Sequence, residues 1–363
     1  MTAALLALAR SKMLSYHQKK ALMDRWKTAI RVIEAAQQGL SRDPEEAEIF
    51  KIILSQVNIK EAEREVDQVR AMGGWILGYG MEGYPSLLKE IPDPPLVLFG
   101  RGVLPKETLT FLGFVGSRRP SSYGRRIAKM LAEDLAQEGI ILVSGLARGI
   151  DAICHEAALR NRVPTIAVIG CGLDRVYPPE HAHLQSQIEQ NGAIISEFFL
   201  GEPPRKENFP RRNRVISGLS KGVLVIEAGE KSGARITASH AVEQNREVFA
   251  VPGPIDSPLS IFTNKLISDG AKLVLNSADI LEELIPDFES HKKRRNVKEI
   301  QSTLSDEQRH LLNCLERDMP VAPEVLAHGV DLSVRKVLQT LTELEILGLV
   351  EKQPDTRYVR ISI

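Results

Sequence analysis

Residues 110–137, TFLGFVGSRRPSSYGRRIAKMLAEDLAQ, decide the fold of this chain. The stretch opens with an apolar run from Phe111 to Val115, passes through a Gly-Ser-Arg turn, and continues as an amphipathic segment from Arg125. A short buried strand, a glycine-containing turn and a helix together form the first half of a βαβ unit. This unit predicts parallel strands whose two faces are covered by helices.

The same alternation continues along the chain. Further apolar runs suited to strands begin near Ile140, Thr165, Ala193, Val223, Val248 and Leu273. Amphipathic segments between them occupy residues 152–160, 181–189, 211–219, 234–244 and 262–268. The pattern predicts an α/β fold with a doubly wound, mostly parallel Rossmann-like sheet over residues 110–286. In such a sheet, ligands bind beyond the carboxyl ends of the strands.

Two different modules are expected to flank the sheet. Residues 1–72 predict a helical module, of the SAM or helix-hairpin-helix kind, because apolar residues such as Trp26, Ile30 and Ile33 recur at helical spacing. Residues 302–363 predict three short helices and a terminal hairpin, which together form a winged-helix domain.

Two connecting segments complete the predicted domain organisation. Proline and glycine are dense in residues 73–109, which we expect to link the helical module to the sheet. Residues 287–301 form a basic linker that contains His-Lys-Lys-Arg-Arg at positions 291–295. A solvated linker and a nuclear signal are both open interpretations of that run, and we favour the linker.

Composition limits the classes of function. The 363 residues are 43% hydrophobic and carry no formal net charge, so binding to a polyanion must come from local patches. Three cysteines without CxxC spacing argue against a zinc site or a disulfide framework and fit a reducing cytoplasm. Charges follow the apolar N-terminal run, unlike in a signal peptide, and no stretch is long enough to span a membrane.

Residues 205–214 contain one aromatic ring, Phe209, and one acid, Glu207. The cations of this stretch are Arg205, Lys206, Arg211, Arg212 and Arg214. A single-stranded nucleic acid requires cations for its phosphates and a flat ring for a base. A solvated loop that leads into a helix can carry the same residues, so the stretch alone leaves both interpretations open.

The turn after the first strand carries groups that bind phosphates. Gly116 lets a ligand approach the backbone, Ser117 offers a hydroxyl, and Arg118 can donate two N–H groups to one phosphate. Residues 113–129 contain four arginines and no acid. The sequence is neither GxGxxG nor a Walker A loop. It predicts a polyanion-binding turn, whereas the alternative is a set of surface arginines without a ligand.

Two later strand ends repeat this composition. Arg148 stands in SGLARGID, residues 144–151, and Ser232 and Gly233 open a helix whose first amides suit an anion. Because these loops lie on one edge of the predicted sheet, we expect a track for successive phosphates.

Three titratable residues near these loops have more than one interpretation. Asp151 and His155 lie four residues apart on one helix face, where they form either a catalytic pair or structural hydrogen bonds. Glu227, at a strand end, is an acid, an acceptor for a sugar hydroxyl, or an anchor for a loop. We favour the structural interpretation for all three. We find no spacing of ligands that indicates a metal.

These residues together resemble the DNA processing protein A family (DprA, also called Smf) over residues 75–285. The matching segments are VGSR (115–118), SGLARGID (144–151), GCGLD (170–174), YP (177–178), SE (196–197), FPRRNR (209–214), EA (227–228), SG (232–233), VPG (251–253) and LISDGA (266–271). The helical and winged-helix modules also fit members of this family.

The resemblance implies a bacterial cytoplasmic protein that binds incoming single-stranded DNA in natural transformation. It implies a homodimer through the Rossmann-like domain, help in loading RecA recombinase on the strand, no enzymatic activity and no cofactor. Carried over by residue, Arg118 would hold a phosphate, Lys206 would lie in a basic pocket, and Phe209 would stack on a base. Phe262 stands where the family commonly has glycine before the Thr-Asn pair, so a backbone contact in that loop is not carried over.

The winged-helix domain is expected to contact protein rather than duplex DNA. Residues 302–363 hold ten acids and seven bases, a net charge of −3, whereas modules that bind a duplex are usually basic. Its expected recognition helix, residues 333–347, carries Arg335 and Lys336 but also Glu343 and Glu345. A weak accessory contact with DNA is the alternative.

Three hypotheses for the whole chain remain at this stage. The first is a non-enzymatic protein that binds single-stranded DNA and mediates recombination. The second is a phosphoribohydrolase that acts on nucleotides, although the PGGxGTxxE signature of those enzymes is missing after Val251-Pro-Gly-Pro254. In the third, the Rossmann-like domain only dimerises.

Overall fold

The computed structural model describes residues 2–11, 13–41, 43–230, 232–285, 304–315, 320–330, 332–346, 349–353 and 356–360. The chain divides into two compact units, Met1–Pro286 and Asp287–Ile363. The predicted basic linker at 287–301, with its run at 291–295, lies outside the described residues.

The chain begins with the helices that the apolar spacing predicts. They are α1 (Thr2–Arg10), α2 (Tyr16–Trp26), α3 (Ala29–Gln38), α4 (Pro44–Gln56) and α5 (Ile59–Ala71). Polar side chains cap several of their first turns: the Ser15 hydroxyl accepts from Gln18 N at the start of α2, and the Asp43 carboxylate accepts from Glu45 N at the start of α4. The helical N-terminus is therefore confirmed.

A sheet of nine strands forms the centre of the first unit. Its strands are β1 (Gly74–Gly78), β2 (Val97–Gly102), β3 (Phe111–Gly116), β4 (Ile141–Ser144), β5 (Thr165–Val168), β6 (Ala193–Ser196), β7 (Gly222–Ile226), β8 (Glu247–Ala250) and β9 (Lys272–Leu273). Their order across the sheet is β1-β2-β6-β5-β4-β3-β7-β8-β9, and the run from β6 to β9 is parallel throughout. The doubly wound, mostly parallel α/β prediction is confirmed.

Helices connect the parallel strands as the periodicity predicts. They are α7 (Ser122–Gln137), α8 (Ile150–Arg160), α9 (Ala182–Asn191), α10 (Asn208–Leu219), α11 (Gly233–Glu243), α12 (Ile261–Ser268) and α13 (Ala278–Leu284). Several begin two or three residues earlier than expected. The difference matters most for α10, because Phe209 lies in its first turn and not in the preceding loop.

Residues 73–109, which we expected to be a linker, contribute two strands and the short helix α6 (Ser86–Lys89) to the first unit. Strand β1 pairs antiparallel with β2, and β2 pairs antiparallel with β6. The partner strand β6 lies about ninety residues further along the chain, so its pairing leaves no local signal. Glycine and proline are dense here and usually indicate turns and loops, so the two short strands were not predicted.

The helical module packs directly on the sheet. Buried Leu5, Leu8 and Val69 belong to the same core cluster as Phe99 of β2 and Ile194 of β6. A second cluster fills the other face of the sheet beneath α10 and α11, with Val223 and Ile216 among its members. The sheet therefore has apolar cover on both faces, as a parallel sheet requires.

The second unit has its own core. Its described elements are helices α14 (Asp306–Asn313), α15 (Pro323–Val330) and α16 (Val334–Ile346) and strands β10 (Val350–Lys352) and β11 (Tyr358–Arg360). The two strands pair antiparallel, and buried Leu311, Val337 and Leu341 pack together. Three helices and a hairpin confirm the predicted winged helix. Within the described ranges of the chain, no helix has the length and apolar character needed to cross a membrane.

Candidate nucleic-acid interface

The main cleft of the first unit opens where the strand order reverses. Strand β3 pairs with β4 on one side and with β7 on the other. After β3 the chain adds β4, β5 and β6 on the first side, and it then crosses over to add β7, β8 and β9 on the second. A cleft of about 510 Å³ lies beyond the carboxyl ends of these strands. This is the place where doubly wound sheets bind ligands. Residues from the loop after β3, from α10 and from the start of α11 line it.

The loop after β3 is held by Glu227, the residue that directly follows β7. Ser121 donates its backbone N–H to Glu227 Oε2 at 2.8 Å and its hydroxyl to Oε1 of the same carboxylate. The Ser121 hydroxyl also accepts from Gly124 N at 3.1 Å and so caps α7. Glu227, which adopts a φ of 47°, is the loop anchor that we favoured.

Gly116 serves the protein's own packing. A Cβ at this position would collide with the carbonyl oxygen of Ile226 and lie 2.7 Å from Ile150 Cγ1. This glycine was expected to let a ligand approach the backbone, but in the structure it permits the close contact of β3 with β7 and α8. Gly116 and Ser117 still line the cleft, and the Ser117 hydroxyl accepts from Arg119 N at 3.1 Å.

Phe209 and Arg118 meet across the cleft. The Arg118 guanidinium lies 5.4 Å from the centre of the Phe209 ring, within the range of a cation–π interaction. Tyr177 contacts the same ring at 5.5 Å, with the two ring planes 38° apart. Arg118 is exposed, and no ion pair or hydrogen bond of its side chain is found among the described residues. The pair therefore presents an aromatic surface next to an uncommitted cation.

Arg212 places a second positive charge at the base of the cleft. It is 4% exposed and donates from Nη1 to the Val168 carbonyl oxygen at 2.5 Å. Burial lowers the pKa of Arg212 to about 10, against the opposing effect of the Asp151 carboxylate and with a further lowering from Arg118. The side chain remains charged at neutral pH. Gly145 makes room for it, because a Cβ there would collide with the guanidinium.

Asp151 and His155 have different partners. Asp151 Oδ2 accepts from Gly145 N at 3.1 Å and from Ala147 N at 3.3 Å, and burial raises the pKa of this carboxyl. The His155 Nδ1 lies 2.8 Å from the Thr165 hydroxyl, and burial lowers the pKa of the imidazole to about 3. Each residue therefore holds its own loop or strand, as the structural interpretation expects.

The first turn of α11 forms the opposite wall. Ser232 caps the helix by accepting from Ala234 N at 3.3 Å, and Gly233 has open space where a side chain would lie. The Asn213 side-chain amide donates to the Gly233 carbonyl oxygen at 3.2 Å and ties α10 to this turn. The N-terminus of a helix of this length favours an anion.

The structure brings together seven of the predicted site residues and separates four. Those that line the cleft are Gly116, Ser117, Arg118, Phe209, Arg212, Ser232 and Gly233. Arg148 lies at the rim beside Tyr177 and is paired with Glu180. Lys206 is exposed in the loop before α10, and its side chain has no partner among the described residues.

Arg211 and Arg214 lie on the other side of α10. Arg214 is 5% exposed, donates to the Asp93 carbonyl oxygen at 2.6 Å and pairs with Glu197 at 2.5 Å. These contacts commit its guanidinium to the protein, so we remove Arg214 from the expected DNA contacts. Arg211 shares Glu197 at 3.0 Å but is largely exposed.

Three further residues lie at the cleft or its rim but were not predicted as site residues: Tyr177, Arg119 and Asn213. The sequence contained an indication of Tyr177, because the Tyr-Pro pair at 177–178 is one of the segments that match the DNA processing protein A family. Asn213 had a weaker one, since it is one position from Arg212 and four from Phe209 on the same helix.

The late loop shows how the chain accommodates Phe262. Its backbone N–H donates to the Ala228 carbonyl oxygen at 3.2 Å, and its ring lies 5.9 Å from the Arg235 guanidinium. The turn after β8 is held by Asn264, whose side chain exchanges two hydrogen bonds with the backbone of Gly253 at 3.1 and 2.9 Å. The loop is thus fixed by protein contacts.

Fold and site define a Rossmann-like protein whose cleft at the strand reversal combines an aromatic ring, cations and a helix N-terminus. Comparison with known proteins specifies the family. The model described as DNA recombination-mediator protein A matches residues 75–285, and the DprA winged helix domain matches residues 298–356. The chain belongs to the DNA recombination-mediator protein A family, as its motifs indicated.

Individual relatives agree with this assignment. Protein Smf of Escherichia coli is 43% identical over 295 residues, which are 77% of this chain and 75% of the relative. The X-ray structure of DNA processing protein A from Streptococcus pneumoniae has a TM-score of 0.68 and 34% identity, covering 78% of this chain and 98% of its own. A structure of the Helicobacter pylori protein, described for its single-stranded DNA binding mode, has a TM-score of 0.52 and 31% identity, covering 59% and 96%.

Proposed function

We propose that this chain binds single-stranded DNA in the cleft between β3, α10 and α11. The observation that carries the proposal is the juxtaposition of Phe209 and Arg118, with Arg212 beneath them. A base that stacks on the ring would place its own phosphate near cations that are not already paired with acids. Stacking on a protein aromatic ring contributes about 1–3 kcal/mol per base and tolerates any sequence.

A single strand fits this arrangement better than a duplex. In a duplex the bases are stacked on one another, so their faces cannot reach Phe209 without unpairing. The ring is half-buried at the side of the cleft, where a splayed base reaches it and a double helix does not. Cations in the loop after β3 and before α10 then follow the strand through its phosphates.

Family membership supports a role in recombination. We infer that the bound strand is protected and passed to the RecA recombinase, in natural transformation or in chromosomal recombination, and that the protein works in the cytoplasm as a homodimer through the Rossmann-like domain. The H. pylori relative is described as binding single-stranded DNA, which supports the same ligand here. RecA nucleation on strand coated with single-strand binding protein, measured with and without this protein, tests the mediator step.

The first experiment is a fluorescence-anisotropy titration with labelled oligo-dT and with the matching duplex, at two salt concentrations. We expect Phe209→Ala to weaken oligo-dT binding by about 1–3 kcal/mol, the contribution of one stacked base. Arg118→Ala should also weaken binding and reduce its salt dependence. Phe262→Ala and Arg160→Ala are the matched controls, because they remove the same residue types away from the cleft.

Two outcomes would oppose the proposal. Equal affinity for single strand and duplex in all variants would leave the cleft without its expected ligand. Release of adenine from AMP would favour the phosphoribohydrolase hypothesis, whose substrate would occupy the same cleft.

A further inference from the structure

A second cavity, of about 280 Å³, lies between the helical module and the side of α10 that carries Arg211 and Arg214. Tyr16 and Lys19 of α2 line it from the module, and Glu197, just after β6, lines it from the sheet. We call it the module cavity. Because Phe209 and Arg212 line the main cleft, α10 separates the two sites and contributes cations to both.

Glu197 lines this cavity and carries a buried, unsatisfied acceptor. Its side chain is 2% exposed, and Oε2 accepts from Arg211 Nε at 3.1 Å and from Arg214 Nη2 at 2.5 Å. Among the described residues, no donor contacts Oε1, which is buried. An unpaired buried oxygen costs about 1–3 kcal/mol. Oε1 lies beneath the cavity lining, so the N–H group of a ligand recovers this free energy once a lining side chain moves aside.

Two further groups in the cavity can donate hydrogen bonds. The Tyr16 hydroxyl is buried and without a partner among the described residues, and burial raises its pKa, so it keeps its proton. Lys19 donates one hydrogen bond to the Ala9 carbonyl oxygen at 2.8 Å, which leaves two N–H groups. Burial, followed by the nearby Arg211, lowers the pKa of Lys19 to about 8, and an anion would hold the ammonium in its charged form.

The charges of the lining select the ligand. Lys19, Arg211 and Arg214 carry three positive charges against two negative ones on Asp93 and Glu197. The net positive charge of the lining favours an anionic group on the ligand. It disfavours a cation beside Glu197 Oε1, so the group that donates to this oxygen should be neutral. The side chains of Leu14 and Phe199 offer apolar contact to a base.

We propose that the module cavity binds a nucleotide. Its base donates an N–H group to Glu197 Oε1 and accepts a hydrogen bond from the Tyr16 hydroxyl, and its phosphate contacts Lys19 and Arg211. Its volume is close to the lower bound of ligand pockets, about 300 Å³, and suits one nucleotide. The nucleotide is either free in solution or a unit of a DNA strand that has passed the start of α10. The second source rests on the proposed single-strand function, whereas the first does not.

Calorimetric titration of dCMP into full-length Phe209→Ala protein tests the site, since this background lacks the stacking ring of the main cleft. We expect one binding site, weakened by about threefold to tenfold by Tyr16→Phe, the size of one hydrogen bond. Lys19→Ala should weaken it at least as much. Tyr79→Phe is the control, because Tyr79 belongs to the neighbouring aromatic cluster and does not line the cavity. The Tyr16 hydroxyl has no hydrogen-bond partner among the described residues, so Tyr16→Phe should leave folding intact.

Other outcomes distinguish the two sources of the nucleotide or overturn the proposed site. If Lys19→Ala in the wild-type background weakens the binding of a long oligo-dC but not of a short one, the DNA strand supplies the nucleotide. If Lys19→Ala changes only the binding of dCMP, the free nucleotide is the ligand. Inorganic phosphate that binds as tightly as dCMP overturns the nucleotide assignment. Binding of dCMP and of long oligo-dC that neither variant changes overturns the site. If the wild-type protein fails to bind oligo-dT but still binds dCMP, the proposed function of the main cleft fails and the module cavity stands.

Discussion

Arg211 and Arg214 share one acid, Glu197, but only Arg214 is buried with it. The Arg214 side chain is 6% exposed and that of Arg211 is 61% exposed. We predict that Arg214→Ala lowers the free energy of unfolding by about 3–5 kcal/mol, because it removes a partner from a buried carboxylate. Arg211→Ala should change it by less than about 1 kcal/mol. Urea denaturation followed by circular dichroism measures both, and equal losses would contradict a structural role specific to Arg214.

The division of the arginine cluster was within reach of the sequence. In a helix, residues 211 and 214 share a face, whereas residue 212 is turned by about 100°. Once α10 is seen to begin at Asn208, the same periodicity places Phe209 and Arg212 together. Which face meets an acid was not predictable, because Glu197 lies at the far end of the connection that leads from β6 to α10 and Asp93 lies before β2. Burial of a charge depends on such distant partners.

At the scale of elements, the helical module holds the loop that leads to α10. Glu65 of α5 is 3% exposed; its Oε2 accepts from Arg10 at 2.7 and 3.0 Å, and its Oε1 accepts from Leu200 N at 2.9 Å. The Arg10 guanidinium also lies 4.7 Å from the Phe199 ring. The Leu200 loop continues to Lys206, so the module orders the chain just before the proposed stacking ring.

We therefore predict that Glu65→Ala weakens oligo-dT binding by about threefold to tenfold, because ordering one interface side chain costs about 0.5–1.5 kcal/mol. Glu61→Ala is the matched control: Glu61 accepts from the same Arg10 at 3.1 Å but is exposed and does not touch the loop. Anisotropy titration at one salt concentration compares them. Equal affinities for the two variants would show that the loop keeps its conformation without Glu65.

The elements themselves divide into those with local signals and those without. Each of the seven parallel strands is a short apolar run followed by a helix, and each was predicted because period and length agree along the chain. Strands β1 and β2 were not predicted, because β2 joins the sheet by pairing with β6, which lies far along the chain. The Trp75 indole N–H donates to the Gly102 carbonyl oxygen at 2.8 Å between β1 and β2. No local sequence pattern predicts this contact.

At the scale of the whole molecule, the proposed DNA contacts all lie in the first compact unit. Residues 302–363, the winged-helix part of the second unit, carry a net charge of −3, and Lys336 of the expected recognition helix, α16, is paired with Glu307 at 3.1 Å. A winged helix with this charge adds little attraction for phosphates, so its role should be separable from strand binding. Protein contact remains our interpretation of this unit.

This separation gives the last prediction. A chain that ends at residue 301, and so keeps the basic run at 291–295, should bind oligo-dT within about twofold of the full chain and keep its salt dependence, because phosphate contacts dominate that dependence. With three or four cations in contact, the logarithm of affinity should fall with the logarithm of salt with a slope of about −2 to −3, at about −0.7 per contact. A double variant of the full chain, Arg335→Ala with Lys336→Ala, is the control that keeps the second unit folded. A tenfold loss in both proteins, with a shallower slope, would place strand contacts on the winged helix and overturn its assignment to protein contact.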